Sequence, residues 1–161
     1  MKEAAAILAL VLFSAGAYGD YVELEVGGAN ASYEWSEGHF ARISARFGWK
    51  EEWALGMAHV GEQHFSKCPD GPPEWNCHYG IMQNLYVDLT RYFRWKAFEF
   101  GIGPSVSQNS TRTTPEKLNF HVQLGLKYKR LSLYIHHYSN AGTSPTGYNM
   151  GQDGVTIGYR F

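Results

Sequence analysis

The sequence has no apolar run long enough to cross a bilayer as a helix, which takes about 20 residues. Its longest run, Ala4 to Phe13, is half that size, follows Lys2, and gives way to the small residues Ser14-Ala15-Gly16-Ala17-Tyr18-Gly19. Residues 1–19 therefore read as a secretory signal peptide cleaved after Gly19, although Glu3 offsets the charge of Lys2. A basic surplus is missing as well: 14 Lys and Arg stand against 15 Asp and Glu, for a net charge of -1. That balance excludes nucleic acid as a partner. Cysteine is scarce. Cys68 and Cys77 are the only two, and they bracket the turn-rich segment Pro69-Asp70-Gly71-Pro72-Pro73-Glu74-Trp75-Asn76. In an exported chain such a pair is expected to close a disulfide, stabilising by roughly 2–3 kcal/mol. No second Cys or His pair at ligand spacing accompanies them, and His39, His59, His64, His78 and His121 show no such spacing, so no metal and no cofactor is expected. A chain of 161 residues leaves residues 20–161 as one domain that must carry any chemistry itself.

What the sequence has in plenty is aromatic residues, 16% of the total, diluted to a mean hydropathy of -0.35. The dilution is regular. Past Gly19 apolar residues recur at every second position, as in Val22, Leu24, Val26 and again in Ala41, Ile43, Ala45, Phe47, Trp49, with Arg42, Ser44 and Arg46 between them. This is the strand period, and no helix-like segment interrupts it. Eight candidate strands follow: 20–27, 39–49, 52–64, 80–92, 96–106, 117–128, 131–138 and 154–161. In the sixth, Leu118, Phe120, Val122, Leu124, Leu126 and Tyr128 share one face, and Asn119, His121, Gln123, Gly125 and Lys127 the other. An apolar exterior around a polar interior is the reverse of a soluble barrel. The fold expected is therefore all-β, an eight-stranded antiparallel transmembrane β-barrel with a lumen filled by side chains.

The connections alternate in length. Lys50-Glu51, Phe93-Arg94-Trp95 and Lys129-Arg130 are short, whereas 28–38, 65–79, 107–116 and 140–153 are long. Such barrels carry short periplasmic turns and long outer loops, so both termini are expected to face the periplasm of a Gram-negative outer membrane. Closure is also a physical demand, because strands in hydrocarbon must pair every backbone group within the protein. Gly101 and Gly103 in the fifth strand fit as relief of crowding or a bend. Pro104 and the lack of a following helix exclude a phosphate-binding loop there. The ending Gly158-Tyr159-Arg160-Phe161 resembles the terminal aromatic signal read by the outer-membrane assembly machinery, and pairing of two barrels as a homodimer is compatible with the fold.

One segment carries chemistry: Tyr134-Ile135-His136-His137-Tyr138-Ser139-Asn140-Ala141-Gly142. His137 and Ser139 lie two apart, so on a strand they share a face with Cα atoms about 6.6 Å apart. A serine hydroxyl becomes nucleophilic once a base takes its proton. The parity of Leu131, Leu133 and Ile135 puts this pair on the lipid-facing side, at the outer rim. A base and an alcohol facing hydrocarbon make sense when the substrate is itself a lipid. His136, of opposite parity, belongs inside as a hydrogen-bonded lumen residue.

His137-Tyr138-Ser139-Asn140-Ala141-Gly142 resembles the H-x-S-N-A-G motif of the outer-membrane lipid A 3-O-deacylase (PagL) family, and the signal peptide and eight strands match that family's layout. The resemblance implies a cofactor-free hydrolase that cuts the ester-linked acyl chain at position 3 of lipid A. It implies His137 as general base and Ser139 as nucleophile. Asn140, with the backbone around Ala141 and Gly142, would form the oxyanion site. The family's orienting acid is a Glu in the final strand. Thr156 falls at that position here, within Asp153-Gly154-Val155-Thr156, and Asp153 can take the role if its loop bends back.

Two other readings stand beside this one. A non-enzymatic barrel with a structural or adhesive role needs only the strands and loops, with His136 and His137 as interfacial residues. An acyltransferase needs an acyl-sized hole inside the barrel, which polar lumen residues such as Gln123, Lys127 and Arg160 argue against. Lys67, Arg112 and Lys117 in the outer loops are either solvated or paired with lipid A phosphates.

Overall fold

Alternation at period two gives each strand one apolar and one polar edge, and a closed cylinder is the arrangement that shows lipid only the apolar one. The computed structural model describes residues 19–31, 34–62, 83–111, 114, 116–140 and 151–161. The expected signal peptide before Gly19 and the expected Cys68–Cys77 disulfide lie outside the described residues. Eight strands, β1 (Gly19–Ala31), β2 (Glu34–Phe47), β3 (Trp53–Val60), β4 (Asn84–Trp95), β5 (Phe98–Ser107), β6 (Leu118–Tyr128), β7 (Leu131–Ser139) and β8 (Gln152–Arg160), pair in sequence order into a closed antiparallel barrel. The seam runs from Glu23↔Arg160 to Asn30↔Asp153 between β1 and β8. On β6, Leu118, Phe120, Leu124, Leu126 and Tyr128 face outward, while Asn119, His121 and Gln123 are buried.

Strand ends differ from the sequence expectation in several places: β2 stops at Phe47 and β3 at Val60, short of the expected 49 and 64, β8 starts at Gln152 ahead of the expected 154, and two hairpins run longer than expected. The stretch 28–38, expected as a loop, continues the ladder of β1 and β2 through Gly28↔His39, Ala29↔Gly38 and Ala31↔Glu34. It contains no proline, unlike the other three long connections, so no backbone donor is missing and pairing runs on. The turn after β4, expected at Phe93-Arg94-Trp95, falls instead at Lys96-Ala97. Cross-strand aromatic pairs hold the longer hairpin: Phe93 opposes Phe100 and Trp95 opposes Phe98, with ring centroids 6.3 and 6.1 Å apart.

Gly103 shows why β5 carries a glycine at this point. A Cβ there would sit 1.9 Å from the Leu89 carbonyl oxygen, so β4 and β5 approach more closely than any side chain permits. At the short-turn rim, Trp49, Trp95 and Tyr128 are each exposed and each followed by a lysine in the left-handed conformation, Lys50, Lys96 and Lys129. This is the aromatic girdle of a membrane barrel.

The lumen is filled and charged. Buried Arg42 donates to Glu25 at 2.7 Å and to Asp88 at 2.8 Å. Buried Arg46 pairs with Glu99 at 2.9 Å and Glu23 at 3.3 Å, and lies 3.3 Å from the centroid of the Tyr92 ring. A second path joins the partners of Arg42. His136 Nε2 is 2.8 Å from Glu25, His136 Nδ1 is 3.2 Å from His121 Nε2, and His121 Nδ1 is 3.3 Å from Asp88. Glu25, Arg42, Asp88, His121 and His136 thus form a closed ring drawn from β1, β2, β4, β6 and β7. Buried charges tolerate such a site only when all are paired and hydrogen-bonded.

Candidate active site

Strand register builds the site in two rows on the outer wall, at the rim opposite the short turns. Ile102 on β5 opposes Val122 on β6, Val122 opposes His137 on β7, and His137 opposes Asp153 on β8. One step nearer the rim, Pro104 opposes Phe120 and Phe120 opposes Ser139. His137 and Ser139 have the parity of the outward-facing Leu131, Leu133 and Ile135, whereas Ser132, Tyr134, His136 and Tyr138 are buried. Together Ile102, Phe120, Val122, His137 and Ser139 line a groove of about 390 Å³ on the outer surface. Its walls are hydrocarbon apart from the imidazole and the alcohol.

His137 Nδ1 lies 2.6 Å from Asp153 Oδ1. With Nδ1–H donating to that carboxylate, Nε2 is left as the basic nitrogen. The two side chains are 42% and 34% exposed, open enough to meet a ligand and sheltered enough for the pair to hold its geometry. Gly151 helps to seat the ring. Its φ is +69°, and a Cβ there would come 2.3 Å from His137 Cε1, so the backbone packs flat against the imidazole.

Thr156, which the resemblance placed at the acid's position, is elsewhere. It is buried in the lumen, 2.9 Å from His136 Nε2, and donates to Glu25 at 3.0 Å. His136 is buried beside it, stacked on Phe40 with centroids 4.8 Å apart. Asn140 directly follows β7 and is buried, while Ala141 and Gly142 lie outside the described residues. The structure therefore unites His137, Ser139 and Asp153 on one wall and separates them from Thr156. Sequence reasoning did not single out Gly151 or the groove residue Ile102. Period-two parity already put Phe120 and Val122 on the lipid face, but only strand register shows that Ile102 joins them. Among the described residues, no cluster of His, Cys, Asp or Glu is arranged to hold a metal ion.

Comparison with known proteins bears on these residues as a set. A search of curated protein sequences finds no match. Among solved structures, the crystal structure of the outer membrane enzyme PagL superposes with a TM-score of 0.53 at 18% identity, covering 88% of this chain and 98% of that one. Neisserial surface protein A (NspA) superposes with a TM-score of 0.51 at 15% identity, covering 87% and 94%. Both likenesses are in fold, the eight-stranded outer-membrane barrel. The sequence pattern of the lipid A 3-O-deacylase (PagL) family matches residues 27–161, most of the chain and the whole of the wall just described, and the protein belongs to that family.

Proposed function

We propose that the protein is a serine esterase of the outer membrane that hydrolyses the ester-linked acyl chain at the 3-O position of lipid A. The observation that carries this reading is the placement of Asp153, His137 and Ser139 on the lipid-facing wall, opening onto an apolar groove. Asp153 holds the imidazole in the tautomer whose Nε2 is basic, and Nε2 takes the proton of Ser139 as its oxygen attacks the ester carbonyl. The carbonyl oxygen gains charge and is held by Asn140 and the backbone of residues 141–142. Collapse of this intermediate releases the sugar alcohol, which receives its proton from His137, and leaves the acyl chain on Ser139. Water, deprotonated by the same imidazole, then frees the fatty acid and restores the alcohol. Ile102, Phe120 and Val122 offer the departing chain an apolar wall beside the nucleophile.

Mass spectrometry of lipid A from cells expressing wild type, Ser139→Ala and His137→Ala tests the proposal. Wild type alone should shift lipid A by the loss of one hydroxyacyl chain. An unchanged spectrum with folded wild type in the membrane would instead make the chain a non-catalytic barrel.

A further inference from the structure

The short-turn rim holds a second groove, of about 480 Å³, lined by Lys50, Glu52, Arg91, Tyr92, Phe93 and Arg94. Arg91 is its unusual member. On β4 it has the outward parity of Leu89 and Phe93, so its side chain lies on the wall that faces hydrocarbon. Its guanidinium sits 5.7 Å from the Trp53 ring and 5.3 Å from the Phe93 ring, and no carboxylate among the described residues pairs with it. Arg94, by contrast, is taken up by Glu51 at 2.8 Å and Glu99 at 2.7 Å. An arginine on a lipid-facing wall is stable only when it finds an anion or reaches the interface. Lys50 stands in the same groove, has no ion pair among the described residues, and follows the girdle residue Trp49. With Arg94 held by its carboxylates, two cations face one carboxylate, Glu52, in a groove whose outward ring is Phe93, with Trp53 beside Arg91. A phosphodiester supplies the missing negative charge and accepts paired hydrogen bonds from a guanidinium.

We infer that this groove is a binding site for the phosphate of an anionic phospholipid in the leaflet at the short-turn rim. Arg91 grips the phosphate, Lys50 adds the second positive charge, and Trp53 and Phe93 flank the first carbons of the acyl tails. In such barrels the short turns are periplasmic, where the leaflet is made of phospholipid. The site is independent of the esterase reading, since it lies at the opposite rim from His137 and Ser139.

Native mass spectrometry of the detergent-solubilised barrel mixed with phosphatidylglycerol tests this, with diacylglycerol of the same tails as the phosphate-free probe. Wild type should retain one phosphatidylglycerol and little diacylglycerol. Arg91→Gln and Lys50→Gln should each lower retention about fivefold, the gain expected per cation near an anionic lipid surface. Lys129→Gln, at the same rim but outside the groove, should leave it unchanged. Unboiled electrophoretic mobility establishes that each variant is a closed barrel. Equal retention by wild type and the Arg91→Gln, Lys50→Gln double variant overturns the inference, as does diacylglycerol binding as well as phosphatidylglycerol. An equal loss in Lys129→Gln also overturns it, by showing diffuse rim charge in place of a site.

Discussion

Asp153 meets His137 because β8 begins at Gln152, early enough for the carboxylate to enter the ladder and oppose the imidazole directly. If the proposed esterase chemistry holds, removing its charge while keeping its shape should disable it without unfolding the barrel. Asp153→Asn is expected to lower turnover on lipid A by about 10²–10⁴-fold, measured as fatty acid released per folded protein. Thr156→Val should do the opposite. It deletes hydrogen bonds to Glu25 and His136 in the lumen, so it should lower unfolding free energy by about 1–3 kcal/mol and leave turnover within a few fold. His137, Ser139 and their outward aim were legible from spacing and from the parity of Leu133 and Ile135. The partner of His137 was legible only in part: Asp153 was a candidate through a bend of its loop, whereas it stands in the β8 ladder, because counting from a turn says nothing of register between β7 and β8. Parity held part of the answer: Asp153 is in phase with the outward Val155 and Ile157, and Thr156 is not.

At the scale of elements, the eight strands followed from alternation, and their ends did not. Turns were expected where alternation paused, as at Phe93-Arg94-Trp95, but hairpins lengthen wherever side chains pair across them and every backbone donor is present. The hairpin of β4 and β5 gained Phe93 and Trp95 from aromatic pairing, and that of β1 and β2 gained a rim extension from the lack of proline. Contacts that run through the backbone were legible in kind and not in partner. Gly103 is the sharpest case: on the inward row of β5 with Glu99, Gly101 and Ser105, it was expected to relieve crowding or allow a bend, and the fold identifies the neighbour by putting the Leu89 carbonyl where its side chain would be. Gly103→Val should force β4 from β5. We expect loss of the heat-modifiable closed form in unboiled electrophoresis, or a fall of at least about 2 kcal/mol in urea unfolding from lipid vesicles.

For the whole molecule, closure concentrates charge in the centre. Arg42 joins β2 to Glu25 on β1 and Asp88 on β4, so its loss leaves two buried carboxylates without their cation. Arg42→Met should destabilise the barrel by about 3–5 kcal/mol, read from the urea midpoint in vesicles. Arg42→Met with Glu25→Gln and Asp88→Asn should recover part of that loss, because no charge is then stranded. The filled lumen also fixes where chemistry can happen, since rings and ion pairs occupy the interior. The wall carrying His137 and Ser139 faces sideways into the membrane. Under the proposed activity, encounters there are collisions in a plane: a lipid drifts up to the cylinder, reacts while still anchored among its neighbours, and drifts away. Turnover should then track the mole fraction of substrate in the leaflet, falling when inert lipid is added even though the total amount of substrate is unchanged.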